Sequence, residues 1–104
     1  MCGIAGEVSF SNSVIKNKDS FLKMQKVLAP RGPDQNGIYI KDKVALIHSR
    51  LCVIDIENGL QPMSARYGEN EYVLVYNGEL YNTDEVRDEL KAHGHKFFSH
   101  SDTE

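Results

Sequence analysis

Residues 37–50, GIYIKDKVALIHSR, decide the fold. Two runs rich in β-branched and apolar residues flank the polar group KDK at 41–43, which is typical of two strands joined by a tight turn. Just upstream, residues 31–37 spell RGPDQNG, a dense turn signal. The sequence therefore predicts a hairpin that begins after this turn and ends near Arg50.

On the N-terminal side of the hairpin, the sequence predicts one strand and one helix. Residues 3–10, GIAGEVSF, are small and then β-prone, so we expect a strand there. Asp19 and Ser20 are candidate helix N-caps. Apolar residues at helical spacing follow over 21–28 and stop before Pro30, which predicts an amphipathic helix.

On the C-terminal side, short apolar runs alternate with polar stretches. Residues 52–56 (CVIDI) and 96–100 (KFFSH) are interpreted as short strands, and 72–78 (YVLVYNG) as a buried strand. Residues 57–71 contain Gly, Pro and many polar side chains, which favours a loop.

A second helix is predicted over residues 83–93. Asn82 lies three residues before Glu85, a spacing typical of a capping box, and Gly94 is the expected stop. Strands before and after helices predict an α+β fold with an antiparallel sheet. The chain ends at 101–104 without a closing element, so we expect the domain to continue beyond it.

The composition excludes several classes of protein. The 104 residues are 40% hydrophobic and 26% charged, with a net charge of −3, which is typical of a globular domain. No apolar run is long enough to cross a membrane. The basic residues are scattered, so we expect no nucleic-acid partner. The start, MCGIAGEVSF, does not resemble a signal peptide, and a cytoplasmic location is expected.

Two cysteines and a group of histidines are the candidates for metal binding or redox chemistry. Cys2 and Cys52 are far apart in the sequence, which favours free thiols. His93, His95 and His100 lack the spacing of a zinc site. We therefore expect no metal site in this chain.

Cys2 is a candidate nucleophile because of its position. Removal of Met1 would leave Cys2 with a free α-amine, so that one residue would supply both nucleophile and base. The alternative is an incidental or buried cysteine, and Cys2 by itself does not separate the two.

Two further segments could contribute to a site. Arg50 lies at a strand end, where it could bind a carboxylate or simply be solvated. His48 is interpreted as a satisfied edge histidine rather than a general base. Asn77 and the Gly78 N–H are either a hairpin turn or donors to an oxyanion, and Glu79 would add a negative charge beside them.

Six segments together resemble one family in order and spacing. They are Cys2-Gly3-Ile4, RGPD at 31–34, HSRLCVID at 48–55, QPM at 61–63, NGELYN at 77–82 and SDTE at 101–104. The whole chain is similar to the class II glutamine amidotransferase domain, an N-terminal-nucleophile hydrolase. Pro33 and the Ser49-Arg50-Leu51 run are similar to its asparagine-synthetase branch.

The resemblance implies an αββα sandwich of two antiparallel sheets and a mechanism of amide hydrolysis. Cys2 would attack the side-chain amide of glutamine, with its own α-amine as base. Asn77 and the Gly78 N–H would stabilise the oxyanion. The RGPD segment would turn the chain beneath the site.

The resemblance also implies how glutamine would be held. Arg50 would bind the α-carboxylate, and Glu79 and Asp102 would bind the α-ammonium. The remaining residues expected at the site are Leu51, Cys52, Val53 and Ile54.

The resemblance implies a larger protein as well. Residues 1–104 would be the N-terminal part of a type 2 amidotransferase domain, followed by the rest of that domain and a synthetase domain that uses ATP and Mg²⁺. The ammonia released would amidate aspartate to asparagine. Open alternatives are another acceptor, or a non-catalytic domain kept for regulation or assembly. Association into a homo-oligomer is also left open.

Overall fold

A central three-stranded antiparallel sheet organises the computed structural model, which describes residues 1–104. Its strands are β1 (Gly3–Val8), β2 (Gln35–Lys41) and β3 (Val44–Arg50), in the order β1-β3-β2. The predicted hairpin is confirmed, with Asp42 in the turn at a φ of 47°. Because β3 pairs on both sides, its two ends are fixed by neighbouring strands.

One helix, α1 (Lys18–Leu28), packs on this sheet and forms a small core. Phe21 from the helix and Ala45 and Ile47 from β3 are fully buried, and Val14 completes the cluster. Ala45 and Ile47 are two residues apart, so they point to the same face of the sheet. Burial of a side chain such as Phe21 contributes about 1.5–3 kcal/mol.

The predicted N-caps of α1 are wrong. The helix begins at Lys18, so Asp19 and Ser20 lie in its first turn, and Asn17 occupies the cap position without a side-chain cap bond. A short 3-10 turn, Ile15–Asn17, leads directly into the helix. Asp19 is still favourable there, because a negative charge in the first turn interacts well with the helix dipole.

A second hairpin lies where a loop was predicted. Strands β4 (Met63–Tyr67) and β5 (Asn70–Leu74) pair around a turn with Gly68 at a φ of 60°. The prediction of a loop over 57–71 is therefore wrong in its second half. Residues 64–67 are all exposed, so this strand has no alternating apolar pattern to reveal it.

The predicted strand 72–78 is also displaced, since β5 ends at Leu74. The predicted strands at 52–56 and 96–100 are absent. In all three segments, backbone groups bond to side chains from distant parts of the chain instead of to a neighbouring strand.

The second helix, α2 (Thr83–Ala92), confirms the prediction, and Gly94 follows it at a φ of 90°. Asn82 stands at the cap position, but its side chain makes no cap bond. The Thr83 hydroxyl instead donates to the Leu80 carbonyl. Helices combined with antiparallel sheets confirm the α+β class. Neither helix is long and apolar enough to cross a membrane.

Candidate active site

One cavity of about 440 Å³ brings together segments that are far apart in the sequence. Because β1 runs antiparallel to β3, Gly3 pairs with Ser49, and Cys2 therefore lies beside the end of β3. The predicted site residues that line the cavity are Cys2, Arg50, Leu51, Val53, Ile54, Asn77, Gly78, Glu79 and Asp102. Cys52 is the one predicted residue that does not line it.

The Cys2 thiol lies at the backbone of Leu51. The Leu51 N–H donates to the sulfur at 3.3 Å, and the sulfur lies 3.6 Å from the Leu51 carbonyl oxygen. Met1 precedes Cys2 here and also lines the cavity, so the α-amine belongs to Met1 and not to Cys2.

Arg50 is only 4% exposed, and its guanidinium shapes the wall of the cavity. It donates to the carbonyls of Ile54 and Asp55, both at 2.7 Å, and to that of Ile56 at 3.2 Å. These bonds turn residues 54–56 inward and explain why no strand forms there. A guanidinium has five N–H donors, so two are left for a ligand.

The RGPD segment lies beneath this wall, where the resemblance placed it. The Asp34 N–H donates to the Arg50 carbonyl at 3.0 Å, and the Asp34 carboxylate accepts the Cys52 N–H at 2.8 Å. Gly32 is buried against Ser49, where a Cβ would overlap the backbone. Cys52 thus contributes its backbone to the support of the site while its side chain stays off the cavity.

Asn77 and Gly78 are not a hairpin turn. They follow β5 and precede α2, and both line the cavity. A Cβ at Gly78 would come 2.7 Å from the Tyr76 hydroxyl, so a side chain at this position would displace the Tyr76 ring. The N–H and carbonyl of Tyr76 bond to Gln61 and His48 instead of to another strand.

Asp102 and Glu79 give the cavity two carboxylates. Asp102 accepts the Leu80 N–H at 2.9 Å through one oxygen. Glu79 is exposed and makes no hydrogen bond within the chain. With Arg50 in the same cavity, the charges complement a zwitterion that has one carboxylate and one ammonium group. No group of three or more His, Cys, Asp and Glu side chains is arranged to hold a metal ion.

Comparison with known proteins identifies the family to which the chain belongs. Residues 1–104 match the glutamine amidotransferase domain family. The chain belongs to this family. It is 45% identical over its whole length to asparagine synthetase [glutamine-hydrolyzing] 3 of Bacillus subtilis, and covers 17% of that protein. It is 34% identical over 86% of its length to asparagine synthetase B [glutamine-hydrolyzing] of Escherichia coli, and covers 16% of it.

The chain therefore spans about a sixth of the length of these relatives. It is also 40% identical over its whole length to a probable asparagine synthetase [glutamine-hydrolyzing] of Dictyostelium discoideum. The relatives come from bacteria and from eukaryotes, and this chain is similar to only a part of each.

Several residues that line the cavity were not predicted from the sequence. Those that line the cavity without a predicted role there are Met1, Gln61, Tyr76, Tyr81, Ser101 and Thr103. Gln61 belongs to the QPM motif and Ser101 and Thr103 to SDTE, so motif membership was the available signal. Gln61, Tyr76 and Thr103 are connected there by bonds between segments that are distant in the sequence.

The segment that contains Asp102 is anchored from several directions. Arg87 of α2 donates to the carbonyls of Ser99 at 2.9 Å and Ser101 at 3.0 Å. The Glu104 carboxylate accepts the Phe98 and Ser99 N–H groups at 2.7 and 2.9 Å. These side chains satisfy the backbone that a strand at 96–100 would have paired, which explains its absence.

Asp55 joins the wall of the cavity to the same segment. Its carboxylate accepts the N–H of His100 at 2.7 Å and that of Asn58 at 3.0 Å. These two bonds, the one to His100 first, hold the pKa of Asp55 below its usual value. The carboxylate form therefore stabilises the contact between the two segments.

His48 is fully buried in the central strand and does not line the cavity. Its Nε2 lies 3.0 Å from the Tyr76 carbonyl oxygen and must donate to it, whereas Nδ1 has no partner. Burial lowers the pKa of His48 and the charge of Arg50 adds to this, although the bond to Tyr76 acts against it. The prediction of an edge histidine is wrong about the position, because β3 is the middle strand.

Proposed function

We propose that this chain is the glutamine-hydrolysing part of an asparagine synthetase, and that Cys2 is its nucleophile. The observation that supports the proposal is the meeting of Cys2, Arg50, Asn77 and Asp102 in one cavity. They come from four distant segments and include a thiol, a cation, an amide and a carboxylate. This is the set that hydrolysis of a zwitterionic amide requires.

Glutamine would lie with its α-carboxylate on the free N–H groups of Arg50 and its α-ammonium between Glu79 and Asp102. Its side-chain amide would then extend toward Cys2. The opposite charges at the two ends fix the direction of the substrate. The apolar side chains of Leu51, Val53 and Ile54 would exclude water from the methylene groups.

The reaction would pass through a thioester. The α-amine of Cys2 would take the thiol proton as sulfur attacks the amide carbon, and would return it to the leaving nitrogen as ammonia departs. Asn77 and the Gly78 N–H would stabilise the negative oxygen of the tetrahedral intermediates. Water would then hydrolyse the thioester to glutamate. His48 is unsuited to act as this base, because it is buried away from the cavity.

The ammonia would be used by a second site of the whole protein. We infer that a synthetase domain would use ATP and Mg²⁺ to activate aspartate, and that ammonia would convert it to asparagine. This inference is supported by the names of the relatives. Another acceptor is the alternative. A cytoplasmic location stays a prediction from the sequence, and so does the absence of nucleic-acid and membrane partners.

The test compares two nitrogen donors in the whole protein. Cys2→Ala should abolish glutamate release and glutamine-dependent synthesis, whereas synthesis from ammonium salts should persist. Cys52→Ala is the matched control, because it removes the other free, half-buried thiol, which does not line the cavity. Loss of both activities in a folded Cys2→Ala protein would contradict the division of labour, and retained glutaminase activity would exclude Cys2 as nucleophile.

A further inference from the structure

The peptide group of Tyr76 is held by two buried side chains. Its N–H donates to the Gln61 side-chain oxygen at 2.6 Å, and its carbonyl accepts a bond from His48 at 3.0 Å. Gln61 is 6% exposed and His48 is 0% exposed. Since β5 ends at Leu74, these two side chains take the place of a neighbouring strand just before Asn77.

The other end of the Gln61 amide reaches a different segment. Its Nε2 donates to the Thr103 hydroxyl at 3.1 Å, and this bond is fully buried. Thr103 is the neighbour of Asp102. One side chain therefore connects the residue before Asn77 with the residue after Asp102.

The backbone of Gln61 is itself fixed to the central sheet. Gln35 of β2 donates from its side chain to the Gln61 carbonyl at 2.9 Å, and accepts the Gln61 N–H at 3.3 Å. Gly37 leaves the space for this approach, since a Cβ there would overlap the Gln61 carbonyl oxygen. The bridge thus rests on the most regular part of the fold.

We propose that Gln61 is a positioning residue that sets the oxyanion donors and the ammonium-binding carboxylate at their working separation. This rests on the proposed function, in which Asn77, Gly78 and Asp102 contact glutamine. Both ends of the buried amide are satisfied in this arrangement, and loss of either bond would leave a buried polar group without a partner, which is unfavourable. His48 holds the carbonyl side of Tyr76, so that this peptide cannot rotate away.

The experiment uses the whole protein and two readouts. Gln61→Leu removes both side-chain bonds. Gln25→Leu is the matched control, because it is the same substitution on α1, where Gln25 makes no side-chain bond and does not line the cavity. Hydrogen exchange would report the geometry without any need for activity. Steady-state glutamate release would report kcat and KM separately.

For Gln61→Leu we expect exchange about tenfold faster or more in both 75–78 and 99–104. We also expect kcat about 10–100-fold lower and a raised KM, since misplacement by about 1 Å can cost on the order of 10² in rate. Gln25→Leu should leave exchange in both segments, kcat and KM nearly unchanged.

Two milder variants keep the test decisive if Gln61→Leu does not fold. Gln61→Glu retains an oxygen for the Tyr76 N–H and can accept a hydrogen bond from the Thr103 hydroxyl. We therefore expect kcat to stay within about fivefold of wild type, compared with the roughly 10–100-fold loss for Gln61→Leu. Thr103→Val cuts only the second bond, so it should raise KM and leave kcat nearly unchanged.

The outcomes separate the two proposals. The positioning role would be overturned by unchanged exchange in both segments, or by equal effects of the Gln25 and Gln61 variants. A loss of kcat in Thr103→Val as large as that in Gln61→Leu would also overturn it. A wild-type protein without glutaminase activity, in which the exchange pattern still responds as expected, would instead overturn the proposed function and leave only the structural bridge.

Discussion

Replacement of Arg87 by methionine should weaken glutamine binding although Arg87 does not line the cavity. Its guanidinium donates to the carbonyls of Ser99 and Ser101 at 2.9 and 3.0 Å, and lies 4.4 Å from the centre of the Phe97 ring. Both serines are buried, so their carbonyls have little access to water. Asp102 is the next residue along this segment.

The size of the effect follows from these contacts. A hydrogen bond from a charged donor contributes about 1.5–3 kcal/mol, and a cation–π contact at an exposed site about 0.5–1 kcal/mol. Arg87 is half-buried, so the lower values apply, and we expect the 97–102 segment to be loosened by about 2–4 kcal/mol. Since about 1.4 kcal/mol corresponds to tenfold in affinity, KM for glutamine should rise about 30–700-fold.

The assay is glutamate release by the whole protein over a range of glutamine concentrations. Because Cys2 and Asn77 make no contact with Arg87, kcat should stay within about threefold of wild type. Arg66→Met is the control, since Arg66 is an exposed arginine of β4 outside the cavity. A folded Arg87→Met protein with unchanged KM, or with a loss confined to kcat, would refute the idea that Arg87 acts through Asp102.

Three further predictions concern the site directly. A protein that retains Met1 should be inactive as a glutaminase, because the peptide bond removes the basic amine of Cys2. Intact-mass measurement, together with labelling by a glutamine-like electrophile, would check this. Rapid labelling of the form that retains Met1 would contradict the role of the amine as base. Asn77→Ala should lower the rate of glutamate release about 10²–10³-fold, the usual loss for one oxyanion donor; a loss below about threefold would remove Asn77 from that role. Asp55 has a lowered pKa, so its bonds to His100 and Asn58 stabilise the fold above the unfolded pKa of about 3.9 and are lost as the pH falls through the lower folded value. The difference in urea stability between wild type and Asp55→Asn should therefore be largest near neutral pH and shrink toward about pH 2, and a difference independent of pH would contradict this contribution.

The sequence by itself determined the elements whose hydrogen bonds are local. The β2–β3 hairpin, α1, α2 and the stop at Gly94 all follow from periodic apolar residues and turn residues a few positions apart. The motifs also indicated the family, and nine of the ten predicted site residues line one cavity. Such patterns are visible because the groups that satisfy each other lie within a few residues or within one hairpin.

Only the tertiary structure decided the segments whose backbone bonds to distant side chains. The Cys52 N–H bonds to Asp34, and the Tyr76 peptide group bonds to Gln61 and His48. Residues 99–101 bond to Arg87 and Asp55. In each case an apolar run resembled a strand, yet the partners lie on other elements. A local pattern shows which residues prefer burial, but it does not show which distant side chain will bond to a buried N–H or carbonyl. Bonds of this kind position the segments that line the cavity.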